Sequence, residues 1–221
     1  HVFMMLNNIQ SGNVHRIINE QVYKDYISRF VREDTETVNK IFIVACGTAM
    51  HAGLAVKSLF ENLCQIPVEV DLASEFRYRD PLVNKNTLAI FISQSGETAD
   101  TIQALKLAKS KGATTLAISN VIGSSITREA DLYIYTHAGP EIAVASTKAY
   151  TSQVTLLNIL ALYFAEILER TDKTLITELK QELLELPNKI DDVLKIEERI
   201  KEIAKDIYME EDAFYLGRGI D

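Results

Sequence analysis

From residue 40 to residue 136, short unbroken apolar runs alternate with longer stretches whose apolar positions recur every three or four residues. Ile41-Phe42-Ile43-Val44-Ala45, residues 87–92 and residues 114–118 carry almost no polar alternation. Such runs predict strands covered on both faces, as in a parallel sheet. Val68-Glu69-Val70-Asp71-Leu72 alternates and predicts an outer strand, and residues 131–136 predict a fifth. Between them, helical spacing appears over residues 49–63, with Leu54, Leu59 and Leu63, and after Thr98, with Ile102, Leu105, Leu107 and Ala108. Residues 73–79 read as a polar-aromatic segment, residues 123–130 as a short helical connection, and residues 150–168 as a long apolar helix. Strands alternating with helices at this spacing predict an α/β fold, a doubly wound five-stranded parallel sheet with helices on both faces.

The ends of the chain read differently. Residues 12–33 predict an amphipathic helix with Val14, Ile17, Ile18, Val22, Tyr26, Ile27 and Phe30 on its apolar stripe. Residues 173–208 predict charged helices with Leu183, Leu186, Ile190, Val193, Leu194, Ile200 and Ile203 on a buried side, divided in two by Pro187. Ala213-Phe214-Tyr215-Leu216 reads as a strand and Gly217-Arg218-Gly219 as a turn, repeating the order of residues 12–48. That repetition suggests the opening of a second, homologous domain, cut off at the end of the chain. The expected division is therefore an N-terminal helical segment over 1–38, the α/β domain over 39–170, and a helical connector with a first strand over 171–221.

Composition narrows the class. The chain has 221 residues, 47% hydrophobic and 24% charged, ordinary for a soluble globular protein. A net charge of −8 argues against nucleic acid as a partner. The sequence shows no run taken as long enough to span a bilayer and no signal peptide, although Met4-Met5 could be a native start. Cys46 and Cys64 lack metal or redox spacing and read as buried reduced thiols of a cytoplasmic protein with no metal and no cofactor. Leu156, Leu157, Ile159, Leu160, Leu162 and Phe164 exceed what one sheet face needs, so a homodimer is expected.

The candidate chemistry sits where strand 87–92 stops, at Ser93-Gln94-Ser95-Gly96-Glu97-Thr98. The first N–H groups of a helix lack partners and carry the positive end of its dipole, so a hydroxyl-rich loop there can hold an anion. Ser93, Ser95 and Thr98 offer hydroxyls, Gln94 an amide, and Gly96 lets the backbone come close. Capping by Ser95, with Thr98 or Glu97 in support, is the plainer explanation, but it needs one such residue rather than four. The loop has neither the lysine of a P-loop nor dinucleotide glycine spacing, which favours a small phosphorylated molecule over a nucleotide. Thr48 follows Cys46-Gly47 at a second helix start on the same sheet edge. Nothing near His51 would orient it as a base, so it reads as a surface residue or one that supports the site from behind. Ser146 or Thr147 is placed to cap the helix from 150, and Lys148 suits a sugar phosphate or a structural ion pair.

Cys46-Gly47-Thr48, Ser74-Glu75-Phe76-Arg77-Tyr78, the 93–101 loop and Val144-Ala145-Ser146-Thr147-Lys148-Ala149 resemble the isomerase half of glucosamine-6-phosphate synthases, built from sugar isomerase (SIS) domains. The resemblance covers roughly residues 40–221 and implies fructose 6-phosphate or glucosamine 6-phosphate binding in the first of two SIS domains. It implies that Ser93, Ser95 and Thr98 hold the phosphate with Gln94, and that Thr48, Ala49, Val144, Ala145 and Ser146 line the sugar. Ala49 stands where the family usually has serine. The resemblance implies a parent reaction of imine formation with ammonia from glutamine, then isomerisation by proton transfer. The family's base and ring-opening residues lie beyond Gly219, so no catalytic residue is expected within this chain. An amino-sugar-phosphate deaminase or deglycase with two SIS domains, or a non-catalytic sugar-phosphate sensor, are the competing expectations.

Overall fold

The structure, a computed structural model, describes residues 38–141, 146–212, 214, 216 and 217. The expected helix at 12–33 and the candidate residues Val144 and Ala145 lie outside them. Of the expected strand at 213–216, Phe214 and Leu216 are described; both are exposed and in no strand.

The elements are β1 (Lys40–Ala45), α1 (Thr48–Cys64), β2 (Val68–Leu72), α2 (Ala73–Phe76), β3 (Thr87–Ser93), α3 (Ala99–Ser110), β4 (Thr114–Ser119), α4 (Ser125–Glu129), β5 (Leu132–Tyr135), α5 (Lys148–Leu168), α6 (Lys173–Leu194) and α7 (Glu197–Ile207). The strands form one sheet in the order β2-β1-β3-β4-β5, every pair parallel. The alternating β2 lies at the edge and the unbroken apolar β3 near the centre, as their patterns require.

Pleating sends successive side chains to opposite faces. Ile41, Ile43, Ile90, Ile92, Leu116 and Ile118 face α1 and α5. Phe42, Val44, Phe91 and Ala117 face α2, α3 and α4. On that second face Phe76 of α2 meets Phe42 and Phe91 edge-on, with ring centroids 5.4 and 6.2 Å apart. Each such side chain, fully buried, stabilises the fold by about 1.5–3 kcal/mol. Arg77, just past α2, pairs with Asp100 in the first turn of α3 at 2.8 Å, tying the polar-aromatic segment to the helix that starts at the candidate loop. On the first face Gly53 lets α1 press against β1: a Cβ there would come within 2.7 Å of Ile43 Cγ2.

Four expectations about the helices need correction. α5 is long and apolar enough to cross a membrane by length and composition, contrary to the reading that no run is. It instead packs on α1 and the sheet, with Leu156, Leu157, Leu160, Leu162 and Phe164 buried. The supposed surplus on α5 is covered within the chain, because Ile176, Leu179 and Leu183 of α6 fold back over it; α5 therefore gives no argument for a dimer. Pro187 does not divide the C-terminal helices. α6 runs through it, and the break falls after Leu194. Proline removes one helix hydrogen bond, yet the helix continues through Pro187, which is half-buried. Finally, Ile190, Val193, Leu194, Ile200 and Ile203 are exposed rather than buried. The hydrophobic residues of α6 that pack on the core lie in its first half, Ile176, Leu179 and Leu183, and α7 has no buried residue.

Candidate functional site

The strand order places a topological switch between β1 and β3: from β1 the chain proceeds to β2 on one side, and from β3 to β4 and β5 on the other. In such sheets the loops at the carboxyl ends diverge and leave a crevice. A cavity of about 260 Å³ opens there, and Thr48, Ala49, Ser93, Gln94, Ser95, Thr98 and Ser146 all line it. Every described candidate from the sequence is thus brought together.

The loop after β3 is internally braced. The Gly96 N–H donates to Ser93 Oγ at 3.0 Å, the Ser93 and Thr98 hydroxyls lie 3.0 Å apart, and the Glu97 N–H donates to Ser95 Oγ at 3.2 Å. Gly96 has φ +69° and a Cβ there would lie 2.1 Å from Ser124 Oγ and 2.4 Å from Ser124 Cβ, so both conformation and space call for glycine. From below, Ile126 N–H donates to Gly96 O at 3.0 Å and Asn120 N–H to Gln94 O at 3.1 Å.

Capping does not account for these hydroxyls. The N-cap of α3 is Thr98, whose side chain makes no cap bond, and Ser95 sits three residues earlier, bonded within the loop. The first turn of α3 is left without a side-chain acceptor beside a cluster of hydroxyls, the arrangement that takes an oxyanion. Among the described lining residues there is no Lys or Arg; the attraction for an anion comes from backbone dipoles and neutral donors.

Glu97 serves a different helix from the one anticipated. Its carboxylate accepts the Ser125 N–H at the start of α4, 2.8 Å away, rather than supporting α3. Hydrogen bonds from Ser125, side chain and then backbone, with the Arg128 charge, hold Glu97 below the usual carboxylate range. On the far side of the cleft, Thr147 is the N-cap of α5 but makes no cap bond; Glu141 does this instead, accepting the Ala149 N–H at 3.0 Å. A carboxylate is the stronger acceptor and suits the positive end of the dipole, which is why it displaces the expected hydroxyl. The loop before Glu141 is pinned by Asn120, which donates to Gly139 O at 2.7 Å and accepts from Ala138 N–H at 2.8 Å.

Sequence reasoning did not include Cys46, Ile92, Glu141 and Gln153 among the lining residues. Gln153 had a signal: a polar amide amid the apolar positions of α5. Cys64 is buried and its thiol is pushed up to about 12 by desolvation, against a smaller opposing effect of Arg170. Cys46 is only half-buried, because β1 ends one residue earlier at the mouth of the cleft, so the expectation of two buried thiols holds for Cys64 alone. His51 is exposed and does not line the cleft. Lys148 also stays out of the lining and makes no ion pair among the described residues. Among those residues no three of His, Cys, Asp or Glu gather as metal ligands.

Parallel five-stranded sheet and switch-point cleft define an open α/β domain, and residues 36–163 match the SIS domain model. The chain belongs to the SIS domain family. It is similar to the glutamine–fructose-6-phosphate aminotransferase (isomerizing) of Clostridium tetani, 56% identical over 190 residues that cover 86% of this chain and 31% of that protein. The enzyme of the same name from Clostridium acetobutylicum is 54% identical over 214 residues, 96% of this chain and 35% of that protein. Among solved structures, the C-terminal domain of glucosamine-fructose-6-phosphate aminotransferase from Francisella tularensis aligns with a TM-score of 0.81 and 39% identity, over 85% of this chain and 53% of that one. The chain spans about a third of the length of the curated relatives it matches.

Proposed function

We propose that this chain is the first SIS domain of a glutamine–fructose-6-phosphate aminotransferase (isomerizing) and binds fructose 6-phosphate or glucosamine 6-phosphate in the switch-point cleft. One observation carries the reading: the Ser93–Thr98 loop brings three hydroxyls and an amide to the uncapped start of α3 inside that cleft. Ser93, Ser95 and Thr98 take the phosphate with Gln94, and Thr48, Ala49 and Ser146, with Val144 and Ala145, line the sugar. The relatives' shared name and the extent of the match support the choice of enzyme. Titration calorimetry with fructose 6-phosphate tests it directly; no heat of binding at millimolar sugar phosphate would refute it.

Recognition, not turnover, is the role assigned to this chain. Proton transfer needs a base within hydrogen-bond reach of the reacting carbon. The nearby carboxylates, Glu97 and Glu141, are occupied at the starts of α4 and α5. The chain alone is expected to show no isomerisation, and measurable turnover would contradict this. The SIS unit is taken as residues 39–170, with 1–38 an N-terminal segment and 171–221 leading into a second SIS domain of the parent enzyme. Exposed Val193, Ile200, Ile203 and Ile207 support a covering surface, from that second domain or from a homodimer partner. The setting proposed is the cytoplasm, with no metal, cofactor, nucleic acid or membrane involved.

A further inference from the structure

Among the polar side chains of the cleft, Gln153 is deeply buried and takes part in neither capping nor bracing its loops among the described residues. Gln153, in the second turn of α5, lines the cleft and is 3% exposed, and its Oε1 is buried without a hydrogen-bond partner among the described residues. A buried amide oxygen left unpaired is costly, and most such groups in folded proteins find a partner. Packing does not call for an amide here: Gln153 shares its helix face with Ala149, Leu156, Leu157 and Leu160, all buried, and an apolar side chain of similar size would fill the same space. Asn86 Oδ1 and Ser152 Oγ are also buried without partners among the described residues, but neither residue lines the cleft.

We infer that Gln153 is a binding residue of this cleft and recognises a hydroxyl of the sugar rather than the phosphate. The inference rests on the phosphosugar reading above. A phosphate dianion offers only acceptors, so it cannot satisfy an amide oxygen, whereas a sugar hydroxyl both donates and accepts and suits the amide in either orientation. The Ser93–Thr98 loop and the start of α3 supply the phosphate's donors, leaving the amide on α5 for the remainder of the molecule. Gln153 thereby separates sugar phosphates carrying a hydroxyl at that point from analogues that lack it, since a site built to pair with a hydroxyl is left unpaired by the deoxy compound.

Calorimetric titration of this chain with fructose 6-phosphate and with inorganic phosphate, alongside melting curves, tests the assignment in three proteins: wild type, Gln153→Met and Ser95→Ala. Gln153→Met is expected to weaken fructose 6-phosphate binding roughly tenfold, the worth of one lost hydrogen bond. It should leave inorganic phosphate affinity unchanged and melt no lower than wild type, because an unpaired buried oxygen has been removed. Ser95→Ala should weaken both ligands. Unchanged fructose 6-phosphate affinity in Gln153→Met would overturn the inference. So would parallel loss of both ligands with a lowered melting temperature, which would make Gln153 a structural residue. A wild-type chain that binds neither ligand would bring down the phosphosugar reading itself, a result independent of residue 153.

Discussion

α5 and the pair α6–α7 each carry apolar residues along one side, yet the fold treats them oppositely. Leu160 of α5 is fully buried between the sheet, α1 and the start of α6, while Leu194 at the end of α6 is 65% exposed. The sheet unit is closed on both faces and carries the cleft. The C-terminal helices leave the unit after Leu183 and present Val193, Ile200, Ile203 and Ile207 outward. An amphipathic stripe states which side of a helix seeks cover, not which surface supplies it. The packed core and the cleft thus reside in the sheet unit, and the stripe is left exposed.

The largest effect that probes this difference is a matched pair of truncations. Leu160→Ala should cost roughly 2–5 kcal/mol, as deletion from a packed core does. Leu194→Ala should change stability by no more than about 0.5 kcal/mol. Urea denaturation measures both. A cost for Leu194→Ala comparable to that for Leu160→Ala would mean the stripe is covered in solution, and sedimentation would then show a species heavier than the monomer.

Next in size is Gly96→Ala. The left-handed backbone and the collision with Ser124 should together cost roughly 2–4 kcal/mol. The displaced loop should also bind fructose 6-phosphate more weakly. Wild-type stability in this variant would show that Ser124 and the loop yield more readily than their hydrogen bonds imply.

A smaller effect follows pH. Burial pushes Asp131 up, but bonds from Lys109 and from the Thr115 side chain and N–H outweigh it and hold the carboxyl below its ordinary value. A depressed carboxylate stabilises the fold above its unfolded pKa and loses that contribution as pH falls through its folded one. The melting temperature should therefore hold steady from neutral pH to about pH 5 and decline below about pH 4, near the ordinary aspartate value. Asp131→Asn should decline less steeply over the acid range. Parallel curves for the two proteins would remove Asp131 as a source of the acid sensitivity.

Much of the sheet unit is legible along the chain because parallel strands must be apolar on both faces: β1, β3 and β4 stand out as runs, and β2 is marked as an edge by its alternation. The cleft is legible for a related reason, since Ser93, Ser95, Thr98 and Thr48 follow directly on strands that all point the same way. What escapes is set by contacts remote in sequence. Glu141 rather than Thr147 caps α5, through a loop pinned by Asn120. Pro187 reads as a break, but the helix continues through it despite the missing bond. The stripe of α6 and α7 predicts burial correctly as a tendency and wrongly as an outcome in this chain, because coverage depends on a surface no local pattern specifies.

The central claim is that the loop after β3 binds the phosphate of a sugar phosphate, and titration of Ser95→Ala and Thr98→Ala with fructose 6-phosphate tests it most directly. A hydrogen bond to a charged group is worth about 1.5–3 kcal/mol, so each substitution should weaken binding by roughly ten- to a hundredfold. Wild-type affinity in both folded variants, accompanied only by lower melting temperatures, would reduce the loop to a structural brace and contradict the account.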